Sequence, residues 1–224
     1  MLYIIPTPIG NLEDLTFRSL RILKEVDLIL VESYRISKRL LNFYNIKTNV
    51  NKYHIHNESK MIPYIINEIK QGKKLALISN AGTPSISDPG YLIIKHCINS
   101  SISIECLPGP TAIIPSLVIS GFPINEFLFI GFLPKKKRKI KLEKLSKEKK
   151  TIVIYESPHR LLKTLNDIKN YFGINIHVAI CKEISKLFQK ILRGSIKEIL
   201  IYYNNNNQKI LGEYTIVINN KNIV

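Results

Sequence analysis

Long apolar runs are missing from this chain. No stretch of about 18 uninterrupted apolar residues occurs, the length a membrane-spanning helix needs. The nearest, residues 107–122, is broken by Pro108, Pro110 and Pro115. No basic segment followed by an apolar stretch and a small-residue cleavage site opens the chain, so no signal peptide is expected. Cysteine is scarce. Cys97, Cys106 and Cys181 lie far apart and form no CxxC pair. We expect a reducing, cytoplasmic setting, with all three as small buried apolar residues. Acidic residues are also few, 17 Asp and Glu against 33 Lys and Arg, which leaves a net charge of +16. That excess points to a polyanionic partner such as nucleic acid, although a chain so rich in Lys, Ile and Asn carries extra cations from composition alone. Location favours a partner: residues 134–150 hold ten Lys or Arg and two Glu, a net +8 in one short segment.

Several catalytic signatures are absent as well. There is no P-loop, no G-x-G-x-x-G after a strand and no G-x-S-x-G elbow, so phosphate transfer, the usual dinucleotide fold and serine hydrolysis have little support. No Cys/His set has zinc spacing. His54 and His56 would share a face on a strand, but no cysteine or carboxylate pattern surrounds them, and no metal is expected.

What is present is an alternation of apolar runs with helical patterns. Strands are expected at 2–5, 28–31, 75–78, 102–106, 127–130, 152–155, 176–181 and 214–218. Helices are expected at 16–26, around Ile36, Leu40, Leu41 and Tyr44, at 62–70 with Gly72 as its stop, at 91–98, from Thr111, through the basic segment, and at 158–171. The run of Asn at 204–207 reads as a loop or low-complexity insertion. This rhythm predicts an α/β protein with a mostly parallel sheet. We place a boundary at the Ser120-Gly121-Phe122-Pro123 turn, giving domains 1–120 and 121–224. Parallel sheets bind ligands outside the carboxyl ends of their strands. Three Gly- and Pro-rich loops, "TPIGN", "SNAGTPSISDPG" and "LPGPTA", follow strands there, so a site is expected in place of plain turns.

These loops, with "YIIPTPIGNLEDLTFRSLRILKEVDLILVES", "HNE", "GFLP", "YESPHR" and "LGEYTIVI", resemble the bacterial 16S ribosomal RNA (cytidine-2′-O)-methyltransferase family within the tetrapyrrole methylase superfamily. The resemblance runs in order from Leu2 to about Ile218. It implies two α/β domains, the N-terminal sheet mostly parallel and the C-terminal one mixed, S-adenosylmethionine as cofactor, a homodimer, and a cytidine ribose of small-subunit RNA as substrate. Carried over by position, the cofactor side falls on Pro8, Asn80, Ala81, Gly82, Thr83, Pro110, Thr111 and Ala112, with Tyr155 from the second domain. The RNA side falls on Arg35, His56, Asn57, Glu58, His159, Arg160 and the basic segment, including Lys135, Lys136, Lys137 and Arg138. A hydroxyl is a poor nucleophile until its proton is removed or shared, so a base is sought. Glu32, His56, Glu58 and Glu156 are the candidates, and the residues do not choose among them. Ser33 and Asn80 stand where the family pattern has carboxylates, and "HEHNE" reads His54-Ile55-His56-Asn57-Glu58. The chain also ends soon after "GEYTIVI", short of the longer members. Two competing readings are a methylase of small tetrapyrroles and an RNA-binding remnant without turnover.

Overall fold

A computed structural model describes residues 1–205 and 210–220. The chain divides into two compact units, Met1–Thr111 and Ala112–Val224. In the first unit, strands β1 (Leu2–Ile5), β2 (Leu28–Val31), β3 (Val50–Lys52), β4 (Leu75–Ile78) and β5 (Ile104–Cys106) form one sheet in the order β3-β2-β4-β1-β5. Every pairing is parallel. β2 and β4 are buried along their whole length, as expected for central strands covered on both faces. Helices α1 (Phe17–Glu25), α2 (Tyr34–Phe43), α3 (Glu58–Lys70) and α4 (Tyr91–Asn99) connect them. Two apolar clusters fill this unit. One centres on Ile5, Leu23, Ile29 and Leu41, the other on Leu30, Tyr53, Ile65 and Ile93. Thr16 caps α1 through a bond from the Ser19 amide, and Gly72 follows the end of α3 with φ +93°.

The second unit holds a mixed sheet in the order β6-β7-β10-β8-β9. Its strands are β6 (Phe127–Phe132), β7 (Thr151–Glu156), β8 (His177–Lys182), β9 (Lys190–Ser195) and β10 (Tyr214–Asn219). β6 and β7 run parallel and the other pairs antiparallel. Helices α5 (Ile113–Ser120), α6 (Arg138–Ser146), α7 (Leu161–Phe172) and α8 (Ile196–Asn205) complete it. α5 packs on β8 and β10, which is why the division falls at Thr111 and not at the Ser120–Pro123 turn. Ile152, Ile154, Leu165, Ile180 and Ile216 form the core of this unit.

Two further expectations differ in these units. Cys97 and Cys181 are buried, and burial pushes both thiols up to about 11, but Cys106 is exposed at the end of edge strand β5. Asn204 and Asn205 end α8; Asn206 and Asn207 of the expected Asn-rich loop lie outside the described residues.

Candidate functional site

The three loops predicted to carry a ligand are tied together at the carboxyl edge of the first sheet. Beyond β1, the Thr7 amide donates to the Gly82 carbonyl at 2.9 Å and the Gly82 amide returns a bond to Thr7 at 2.8 Å. The Thr7 hydroxyl donates to the Ser79 carbonyl (3.0 Å), and the Ser79 hydroxyl to the Gly82 carbonyl (2.9 Å). The turn needs φ +79° at residue 82, a conformation that glycine adopts without cost. The third loop closes against the first: a Cβ on Gly109 would stand 2.7 Å from Pro6 Cβ. Thr83 reaches the Pro110 carbonyl at 3.4 Å. Pro8, Asn80–Thr83 and Pro110–Thr111 are therefore brought to one edge of one unit. Ala112 starts α5, and Tyr155 ends near the second sheet's edge, ringed by Phe129 and Phe132 at 5.0 and 5.8 Å.

Asn80 carries an informative pattern. Its amide nitrogen donates to a Glu32 carboxylate oxygen at 2.7 Å. That bond fixes which way the amide faces, because the opposite orientation would set two oxygens against each other. The Asn80 Oδ1 is then buried, with no hydrogen-bond partner among the described residues. A buried acceptor without a donor is costly unless something supplies one. A donor such as an ammonium or hydroxyl group is the chemistry that this oxygen lacks.

The other expected carboxylates are occupied. Glu58 is buried at the start of α3, where one of its oxygens accepts from the Tyr53 hydroxyl (2.9 Å) and the Gly90 amide (3.0 Å). Burial first, and then the bond to Glu58, raises the Tyr53 pKa far above the usual phenol range, so Tyr53 stays a donor. Glu58 thus pins the far end of the "SNAGTPSISDPG" loop. Asn57 is also occupied. It accepts from the His54 amide (2.7 Å) and donates to the Lys52 carbonyl (3.0 Å), shaping the turn before α3. His54 and His56 lie in this turn and not on a strand, with rings 6.0 Å apart. His56 and Arg35 are exposed.

In the second unit, Glu156 is buried at the end of β7. It accepts from the Ser157 amide (2.8 Å) and the Thr164 hydroxyl, and lies 3.5 Å from Arg160 and 3.9 Å from Arg138. Arg138, expected on an RNA-facing surface, is instead buried. It donates to Asp167 (2.7 Å) and Thr164 (2.6 Å). The physical reason is its register: Arg138 shares a helix face with Leu142 and Leu145, both in the core. Arg160 is half-buried and donates to the Leu133 carbonyl (2.6 Å). Lys135, Lys136, Lys137 and His159 are exposed. The clamp formed by Glu156, Thr164 and Asp167 was not foreseen beyond Glu156; the i, i+4, i+7 spacing of Arg138, Leu142 and Leu145 was its readable signal.

Residues 1–200 match the family model described as tetrapyrrole (corrin/porphyrin) methylases. Among solved structures, a cobalt precorrin-4 methyltransferase of cobalamin biosynthesis superposes with a TM-score of 0.73 at 18% identity, covering 97% of this chain and 93% of that one. A uroporphyrin-III C-methyltransferase from Thermus thermophilus gives 0.68 at 16% identity, over 98% and 94%. Sequence relatives are nearer. The ribosomal RNA small subunit methyltransferase I of Thermotoga maritima is 44% identical over 98% of both chains. That of Halalkalibacterium halodurans is 43% identical over 97% of this chain and 75% of its own. The chain belongs to the tetrapyrrole methylase family and, within it, to the group of ribosomal RNA small subunit methyltransferase I.

Proposed function

We propose that this chain transfers a methyl group from S-adenosylmethionine to the ribose 2′-hydroxyl of a cytidine in small-subunit ribosomal RNA. The observation that carries the reading is near full-length identity of 43–44% to relatives named as methyltransferases of that RNA. The tetrapyrrole alternative is not favoured: enzymes named for it share this fold at only 14–18% identity. The basic segment supports an RNA substrate, since lysines there can replace phosphate counterions. The same reading carries a homodimer at work in the cytoplasm.

Bound at the loops, S-adenosylmethionine would supply a methyl group already activated by its positive sulfur. The chain's share is then mainly to hold two reactants in line. Thr7 and Gly82 brace the loop, Asn80 Oδ1 offers an acceptor to the cofactor's donor groups, and the Glu32 carboxylate beside it matches their positive charge. Ala81, Thr83, Pro8, Pro110, Thr111, Ala112 and Tyr155 are proposed to line the remainder. Glu58 and Glu156 act as anchors, each held by the bonds described above, which narrows the acceptor of the hydroxyl proton to Glu32 or His56. Arg35, Lys135, Lys136, Lys137 and His159 are the RNA contacts on this reading, while Asn57, Arg138 and Arg160 support them from behind.

The test uses labelled S-adenosylmethionine and small subunits from a strain lacking the modification. Alkali cleaves RNA through attack by a 2′-hydroxyl on the neighbouring phosphate, so a 2′-O-methyl blocks it. The label is expected in an alkali-resistant dinucleotide. Label released in single nucleotides would move the methyl to a base, and no label in RNA would overturn the reading.

A further inference from the structure

The hairpin between β8 and β9 ends in a feature that folding alone does not explain. Residues 183–189 make two successive turns, with the Lys186 amide donating to the Glu183 carbonyl and the Gln189 amide to the Lys186 carbonyl, both at 3.0 Å. Leu187 and Phe188 occupy the centre of the second turn and are 91% and 73% exposed. Turn centres favour Gly, Asn, Asp and Pro, whose backbones or short polar side chains suit the turn conformation; large apolar side chains gain nothing there. The tip is nonetheless held firmly. Lys186 bridges Glu183 (2.9 Å) and Glu213 (2.7 Å), the Glu213 amide donates to Glu183 (2.8 Å), and the Ser185 amide donates to Gln189 (2.8 Å). Glu183 and Ser185 sit in the left-handed region at φ +52° and +64°, which costs energy in non-glycine residues. Ile184 is buried and roots the loop.

Charge at the base of the hairpin says what the tip meets. Lys182 and Lys190 are direct cross-strand partners. Like charges at that position are destabilising, and an anion between them would remove the penalty. Lys190 donates to the Tyr202 hydroxyl and lies by its ring, 4.8 Å from the centre, contacts that supply no countercharge. The neighbouring acids, Glu183 and Glu213, are bridged by Lys186, and the one Glu183 carboxylate is shared with Lys182, which leaves the cluster short of negative charge. An apolar, partly aromatic tip beside a lysine pair matches a nucleotide, base against Phe188 and phosphate against the lysines. A protein partner fits less well, because stable interfaces cover about 800 Å² on each side and two side chains offer a fraction of that. We infer that the Leu187–Phe188 tip is a rigid wedge that stacks on an unpaired base of RNA, with Lys182 and Lys190 holding the adjoining phosphate. The wedge rests on the RNA reading of the proposed function and adds a surface that none of the family motifs marked.

The chain contains no tryptophan, so Phe188→Trp places a single indole reporter at the tip. Its emission is expected to quench when a short single-stranded oligoribonucleotide is added. Phe188→Ala should weaken binding of that probe about 5- to 150-fold, the equivalent of about 1–3 kcal/mol of base stacking. The salt dependence of binding should not change, since no charge is lost. Lys182→Gln with Lys190→Gln should instead reduce the salt slope by about 1.4. Thermal unfolding of each variant checks that the exposed tip, and not the fold, was altered. Unchanged indole emission on RNA binding, or equal affinity of Phe188→Ala, overturns the wedge. An indole signal that follows protein concentration without RNA, with Phe188→Ala shifting the sedimentation of the free protein, overturns it in favour of self-association. Methyl transfer to small subunits is scored separately. Transfer without an indole response refutes the wedge alone, and an indole response without transfer refutes the enzymatic reading alone.

Discussion

Asn80 and Glu32 form a pair whose chemistry depends on residue 80 being an amide. As an amide it donates to Glu32 at 2.7 Å and leaves its buried oxygen without a partner among the described residues, the acceptor proposed for the cofactor. A carboxylate there would face another carboxylate, and one of the two would hold its proton well above the ordinary range. Asn80→Asp is therefore expected to leave methyl transfer no faster, despite restoring the family's residue. A folded-state pKa raised above the unfolded value gives stability that is present at low pH and lost as pH rises through the raised pKa. Urea unfolding should then show Asn80→Asp closest to wild type at pH 4, about the ordinary carboxylate pKa, and weaker by about 1–3 kcal/mol at pH 8. An equal difference at both pH values would mean the two carboxylates turn apart. Glu58 shows the same lesson from the other side: a carboxylate in a family motif is an anchor for Gly90 once its partners are seen.

Helix α6 has two distinct faces, one buried and one basic. Arg138, Leu142 and Leu145 point inward, while Lys139, Lys141 and Lys144 are exposed, continuing Lys135–Lys137 just before the helix. Removing one partner from a buried ion cluster leaves an uncompensated charge. Arg138→Gln should lower stability by about 3 kcal/mol, read as a reduced urea midpoint, and leave the salt slope of RNA binding unchanged. Replacing Lys135, Lys136 and Lys137 with Gln should do the reverse: the urea midpoint stays, and the slope falls by about 2. A slope unmoved by the triple change would assign these lysines to composition alone. The elements themselves were mostly legible as runs and periods. β3 (VNK) and β9 (KILRGS) were not legible because these edge strands have half-exposed residues and no long apolar run, unlike the FLFI run of edge strand β6. Helix α8 was also left out, although Ile196, Ile199 and Leu200 carry helical spacing.

For the whole molecule, binding of S-adenosylmethionine is linked to stability. At a hundredfold excess over Kd it should add about 2.7 kcal/mol, seen as a raised Tm that depends on ligand concentration. Gly82→Leu should erase that shift, because leucine resists φ +79° and disturbs the paired bonds to Thr7. A Tm that rises equally in both would place the cofactor elsewhere. The alternation of apolar runs with amphipathic helices determined the α/β class, and the absence of long apolar runs removed a membrane helix; among the described residues no helix is long and apolar enough to cross one. The order of motifs pointed to the family, because spacing along the chain is a property of sequence. What each polar residue does was decided only by tertiary structure. Whether Glu156 or Arg138 faces solvent or a buried partner depends on contacts between separate elements, such as Asp167 for Arg138 and Arg138 for Glu156. The same holds for the tip at Leu187 and Phe188. Two apolar letters in a row read as core, and only the folded hairpin shows them at the centre of a solvent-facing turn.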